Sequence, residues 1–208
     1  MGQPLEVQPE HYFANGFTSV LTFLDEIQTY LQESLALGPD VSPYSESNLD
    51  EAKWRIPVGD MEMITAASSM CRRATAVSRE GYQSVMHIAS TYNGLMGQGA
   101  GNSANQAALT MLAMTMMQNM SKFSLVLVMM HYMQDRRPFR SSNGYVGLGP
   151  NKMQAGDLVV IFFGSHTPFI IRPCNNGMHR LVGEAYVHGI MDGEFMKQET
   201  KEVIFQLC

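Results

Sequence analysis

The chain has 208 residues, 45% of them hydrophobic and 16% charged, with a formal net charge of −5. That is ample apolar material for a core and too little charge for a disordered chain. The acidic balance leaves no basic footprint, which excludes recognition of nucleic acid through its phosphates.

The first stretch, MGQPLEVQPEHYF, has no basic region leading into an apolar run, so no signal peptide is expected. Phe17, Val20, Leu21, Leu24, Ile27, Leu31 and Leu35 recur at three- and four-residue steps, which predicts an amphipathic helix closed by Gly38-Pro39. Pro39 to Ser47 reads as a loop. Ser47 and Asp50 predict the start of a short helix through Trp54, and Pro57 and Gly59 break it. From Asp60 to Tyr92 the pattern is helical, with Val77, Val85 and Ile88 as expected core contacts. Gly94, Gly97, Gly99 and Gly101 then mark a connector, since each glycine costs about 1 kcal/mol in a helix.

Asn102-Ser103 is a cap for a long helix, Ala104 to Met133, that carries eight of the 18 methionines. The expected role of this stripe is core packing. The alternative is a deformable surface for an apolar ligand or a partner helix, because methionine is flexible and polarizable. Its most apolar part, Phe123 to Met133, is 11 residues long, short of the ~20 that cross a bilayer.

After Pro138 the period shifts to short β runs cut by glycine turns: 145–148, 158–163, 169–172, 180–187 and 203–207. The fold class expected is α+β, with N-terminal helices packed on a small C-terminal β-barrel or strongly curved antiparallel sheet. A helical region, 1–134, and a β module, 135–208, are expected to form one cooperative unit. Arg172 is expected to pair with Asp157 or Glu184.

Cys71, Cys174 and Cys208 are far apart, and at least one stays unpaired if a bridge forms. A reducing, cytoplasmic setting is the simpler expectation. No CxxC or Cys/His spacing suggests zinc, and no P-loop, dinucleotide fingerprint, HExxH or nucleophile elbow is visible, so neither metal nor cofactor is expected. His188, Asp192 and Glu194 are spaced to gather at one rim, where an imidazole and carboxylates would serve acid–base work. A solvated turn with a hydrogen-bonded histidine is the plainer reading. His166 and His179 also fall in this region.

The run from Arg136 to Pro150, RRPFRSSNGYVGLGP, followed by Gln154-x-Gly156-Asp157, by Pro168 to Arg172 and by Leu181 to Glu194, resembles the C-terminal region of fungal heterokaryon-incompatibility (HET) proteins over about 60 residues. Trp54-Arg55 with Asp60 is similar to a stretch further upstream in that family. Pro138 departs from the family's aromatic, Ser141 from its threonine, and Ile56-Pro57 from its Thr-Leu.

The resemblance implies a truncated member without the N-terminal cell-death effector domain, acting as a binding module for a small molecule or a protein. The alternative is a cofactor-free cyclase or pericyclase of the Diels–Alderase type in fungal terpenoid secondary metabolism. Such an enzyme needs a shaped apolar cavity and one or two hydrogen-bond donors. The candidates are His188, Tyr186 and Arg137 as catalytic donors, and Trp54, Met130, Tyr132, Phe139 and Tyr145 as substrate-binding walls. An apolar small molecule or a protein are the partners expected, with no nucleic acid and no membrane span.

Overall fold

The computed structural model describes residues 17–64, 70–96, 107, 110–111, 114–115, 117–118, 120–197 and 202–208; at 17–19, 92–96 and 176 only the backbone is described. The fold is α+β, and the chain divides into two compact units, one of residues 1–59 with 133–208 and the other of residues 60–132.

In the first unit, α1 (Phe17–Leu35) buries Val20, Phe23, Leu24, Ile27 and Leu31 along one face. Each fully buried side chain of this kind stabilises by ~1.5–3 kcal/mol. Phe23 belongs to that face, whereas Leu21 of the expected stripe is half-buried at its edge. The helix ends at Gly38 as expected. The next helix, α2 (Glu46–Arg55), is capped by Ser45, whose hydroxyl accepts from the Asn48 N–H. The cap at Ser47 is therefore corrected: its hydroxyl bonds that of Ser45. A 3₁₀ turn, Ile56–Val58, closes this segment.

The β part of the same unit holds two sheets. In the first, β3 (Arg136–Arg140), β4 (Val146–Pro150) and β8 (Tyr186–Val187) lie side by side with β4 in the middle. In the second, β5 (Leu158–Val160), β6 (Phe169–Pro173), β7 (Met178–Glu184) and β9 (Gln206–Leu207) follow one another. Adjacent strands are antiparallel except β7 and β9, which run parallel. The chain passes from β7 in one sheet through Ala185 to β8 in the other, and the two sheets share a core. Phe139, Met153, Ile170, Ala185, Val187 and Ile190 form that core. Among the described residues of this unit the strands make two sheets and no closed barrel.

β3 is a strand that the expected set lacked; Pro138 sits inside it, tolerated because β3 is an edge. α1 packs on β3 and β4, and Glu33 pairs with Arg140 at 3.1 Å. That ion pair is partly exposed and contributes little, so apolar burial holds the helix down.

Two glycines explain the GYVGLGP run. Gly144 turns with φ of 85°, and a Cβ there would lie 2.8 Å from the Ser34 hydroxyl oxygen. Gly147 stands opposite Val187, where a Cβ would collide with the Tyr186 carbonyl and lie 3.1 Å from the Phe139 ring. The expected Arg172–Asp157 pair forms bidentately at 2.8 and 2.9 Å, with the Asp157 carboxylate also accepting from the Gln154 N–H.

In the second unit the expectation of a helix starting at Asp60 is corrected. β1 (Met61–Met63) pairs antiparallel with β2 (Cys71–Arg73), and helix α3 spans Ala76–Met96. The strands are too short to show a period of two, and the residue that anchors them is an acid. Glu62 is buried and accepts from Arg72 Nε, the Thr75 N–H and hydroxyl, and the Ser78 hydroxyl at 2.6 Å. Burial alone would raise its pKa; the hydrogen bonds from Ser78, Thr75 and Arg72 outweigh that and hold it below the ordinary value.

Helix α4 (Met120–Tyr132) packs on α3 over Gly81, where a Cβ would collide with Val126 and sit 2.7 Å from the Lys122 carbonyl oxygen. Tyr82, Val85, Ile88, Phe123, Val126, Met129 and Met130 are buried, while Val77 is exposed. Gly94 lies within α3, and the rest of the expected connector, with the Asn102-Ser103 cap, falls outside the described residues. Core packing holds for Met129 and Met130, but Met111, Met114, Met117 and Met120 are exposed. No helix among the described residues is long and apolar enough to cross a membrane.

Two variants test these anchors. Gly147→Ala is expected to destabilise the protein by ~1–3 kcal/mol in urea unfolding, because β8 cannot retreat from β4 without losing its ladder. Glu62→Gln is expected to cost ~1–3 kcal/mol at neutral pH. A depressed native pKa gives stability that is complete above the ordinary value of 4.5 and is lost as pH falls through the native pKa. The gap between wild type and Glu62→Gln should therefore shrink in urea unfolding below that pH.

Candidate functional site

The site assembles where β4, β8 and the loop after α1 meet. Tyr44, from the loop that the sequence marks only by its prolines and serines, is buried there. Its hydroxyl accepts from the Val146 N–H at 2.9 Å and donates to the carbonyl of His188 at 3.1 Å or of Val146 at 3.3 Å. Burial pushes the phenol far above its usual pKa, so it stays protonated and can donate at any physiological pH. The His188 N–H donates to the Val146 carbonyl at 3.0 Å, which continues the ladder one residue beyond β8.

His188 and Tyr186 are brought together. The Tyr186 hydroxyl and His188 Nδ1 are 2.9 Å apart, and the imidazole is tilted against the Tyr44 ring with centroids 5.8 Å apart. Thus two tyrosines and one histidine share a corner, each tied to backbone or to one another. Asp192 and Glu194 do not complete the rim as the spacing suggested: the Glu194 carboxylate accepts from the Asp192 N–H at 2.7 Å and closes its own turn.

The register separates Arg137 from this group. Arg137 lies opposite Gly149, while Tyr186 lies opposite Leu148, so the two side chains belong to opposite faces of the sheet. The charge of Arg137 is felt instead by Tyr30 on α1. Burial and then Glu26 push the Tyr30 pKa up to about 12, with Arg137 opposing.

The expected apolar wall is divided as well. Phe139 is buried in the shared core, with Tyr145 packed against that core and edge-on to Phe195. Trp54 is buried on α2 beneath the Arg55 guanidinium, 4.3 Å from the ring centroid, and its Nε1 has no hydrogen-bond partner among the described residues. Met130 and Tyr132 belong to the second unit: Met130 is fully buried in α4, and Tyr132 is exposed at its end. His166 is exposed, and His179 packs edge-on against Phe205. Among the described residues no three of His, Cys, Asp and Glu gather closely enough to hold a metal ion.

Sequence reasoning missed Tyr44. An aromatic residue beside Pro43 in a polar loop is its one local sign, and its partners are 102 and 144 positions away.

Comparison with known proteins extends the likeness well past the glycine-rich run. A family model described as "Het-6 beta-barrel domain" matches residues 2–207. Heterokaryon incompatibility protein 6, OR allele, of Neurospora crassa is 28% identical over 216 residues, which cover 97% of this chain and 31% of that protein. The chain thus spans about a third of the length of that curated relative. No solved structure matches.

Tyr44→Phe is expected to lower unfolding stability by ~1–3 kcal/mol, because the Val146 N–H then loses its acceptor in a buried place. Urea unfolding followed by circular dichroism would show it, and His188→Ala, which keeps both backbone bonds, should cost less.

Proposed function

Because the chain belongs to the Het-6 beta-barrel domain family, we propose that it is a recognition module that binds a protein partner through the outer face of its four-stranded sheet. The observation that carries this reading is a set of exposed apolar side chains on strands β5, β7 and β9. Pairing places Leu158 and Leu181 on either side of Ile171, which is itself fully buried. Leu158 is 40% exposed and Leu181 47%, and Leu207, paired with His179 further along the same face, is 50% exposed.

Exposed apolar side chains grouped on one sheet mark interaction sites more often than scattered ones do. A sheet face suits a protein surface, whereas small molecules favour concave pockets. The Neurospora relative is named for heterokaryon incompatibility, which is compatible with a recognition role. Of the polar groups that would otherwise serve chemistry, the Tyr44 hydroxyl is engaged with the Val146 N–H and the His188 carbonyl, and the Tyr186 hydroxyl with His188 Nδ1.

The test places a photo-crosslinker at Leu181 and exposes the chain to fungal lysate, then rebinds the captured protein in purified form. Saturable binding that weakens at least about tenfold in Leu158→Glu/Leu181→Glu, with circular dichroism unchanged, is the expected result. Binding indifferent to that double variant would overturn the assignment of the face. Conversion of an apolar polyene metabolite by the purified chain would instead identify a cofactor-free cyclase.

A further inference from the structure

Cys174 and Cys208 are separated by 34 positions in sequence, yet their sulfurs stand 3.7 Å apart. The approach is built by the backbone. Cys174 follows β6 and donates its N–H to the Met178 carbonyl at 2.8 Å, while Cys208 follows β9 and donates its N–H to the His179 carbonyl at 2.9 Å. Both cysteines therefore hang from the same end of β7. Phe205, edge-on to His179 at 4.9 Å between ring centroids, holds the incoming segment at that end. Both residues are at least partly open to solvent, and both are reduced in the structure.

We propose that Cys174 and Cys208 are a reversible redox site that accepts small-molecule disulfides of the glutathione class and staples β9 to β7 when oxidised. A disulfide requires sulfurs at about 2.05 Å, so the bond forms when the two sulfurs close in from 3.7 Å. In the first step one cysteine thiolate attacks the small disulfide, forming a mixed disulfide and releasing one small thiol. In the second, the other cysteine attacks the protein sulfur of that mixed disulfide and releases the second small thiol. Two protein thiols are oxidised to one bond, one small disulfide is reduced to two thiols, and the protons pass to the leaving thiolates.

The staple has a structural task. β9 pairs with β7 at only two positions, Met178 with Gln206 and His179 with Leu207, so few hydrogen bonds hold it. Without β9, the outer edge of β7 is open to pairing with another strand. In a reducing compartment such a pair rests as thiols and closes under oxidative load, the usual pattern of regulatory bridges. The proposal stands apart from the recognition reading, because it rests on sulfur geometry alone.

The test equilibrates the full chain in glutathione buffers of graded ratio, quenches with acid and alkylates with N-ethylmaleimide. Intact mass and peptide mapping should show the loss of two hydrogens and a cross-linked peptide joining Cys174 to Cys208, in wild type and in Cys71→Ser alike. Oxidation should raise the melting temperature by several degrees and slow amide exchange at Gln206 and Leu207, effects absent from Cys208→Ser. Separate alkylation of both cysteines at every ratio, a lasting glutathione adduct on each, or a bridge that requires Cys71 would overturn the proposal.

Discussion

The approach of β8 to β4 over Gly147 positions most of what surrounds it. With no side chain at 147, the Tyr186 carbonyl can lie against the β4 backbone, and Val187 can enter the shared core beside Phe139. From there the chain runs on to His188, whose N–H continues the ladder to Val146 and whose carbonyl meets the Tyr44 hydroxyl. A methyl group at this one position would push β8 outward and dislodge both the core contact and the corner. That is why the motif demands glycine at a place where no unusual backbone angle is needed.

Tyr44 then ties the far end of the chain to this corner. Loop closure over more than a hundred residues is costly in entropy but grows only slowly with length. The return is a buried phenol whose one oxygen satisfies an N–H and a carbonyl. The loop is also pinned from the other side. The Ser34 and Ser42 hydroxyls meet at 3.2 Å, and Gly144 lies close enough to Ser34 that only a glycine fits. Helix α1, the loop and the β3–β4 turn thus constrain one another, which makes the N-terminal helices part of the β module.

Much of this was legible in the sequence, for physical reasons that differ by element. The α1 stripe was read from its period, and only Phe23 escaped, because a three-or-four-residue series can be threaded through Leu21 instead. Strands β4, β6 and β7 announced themselves by β-branched and aromatic runs between glycines, within the usual uncertainty of strand ends. β3 did not, since three arginines and a proline disguise a strand at the edge of its sheet. The β1–β2 pair was hidden because its anchor is a buried carboxylate. Glu62 is satisfied by Arg72, Thr75 and Ser78, and no hydrophobic pattern reports such a contact.

The candidate site was half legible. Tyr186 and His188 are adjacent in sequence, and their pairing follows from a strand end. Arg137 was expected beside them from its place next to the motif, but register decides faces, and register is invisible until the strands are paired. Cys174 and Cys208 show the same limit from the other direction: distance in sequence suggested separation, and a parallel strand pairing brings them together.

The extent of the family match follows from this architecture. The resemblance read from the sequence covered the glycine-rich run and the segments after it, whereas the family model matches residues 2–207. A β module able to stand alone would need no conserved helical partner. Here β3 and β4 pack against α1, and the Val146 N–H donates to a tyrosine hydroxyl in the loop beyond that helix. Residues 1–59 and 133–208 accordingly make one compact unit, with the second unit inserted between them.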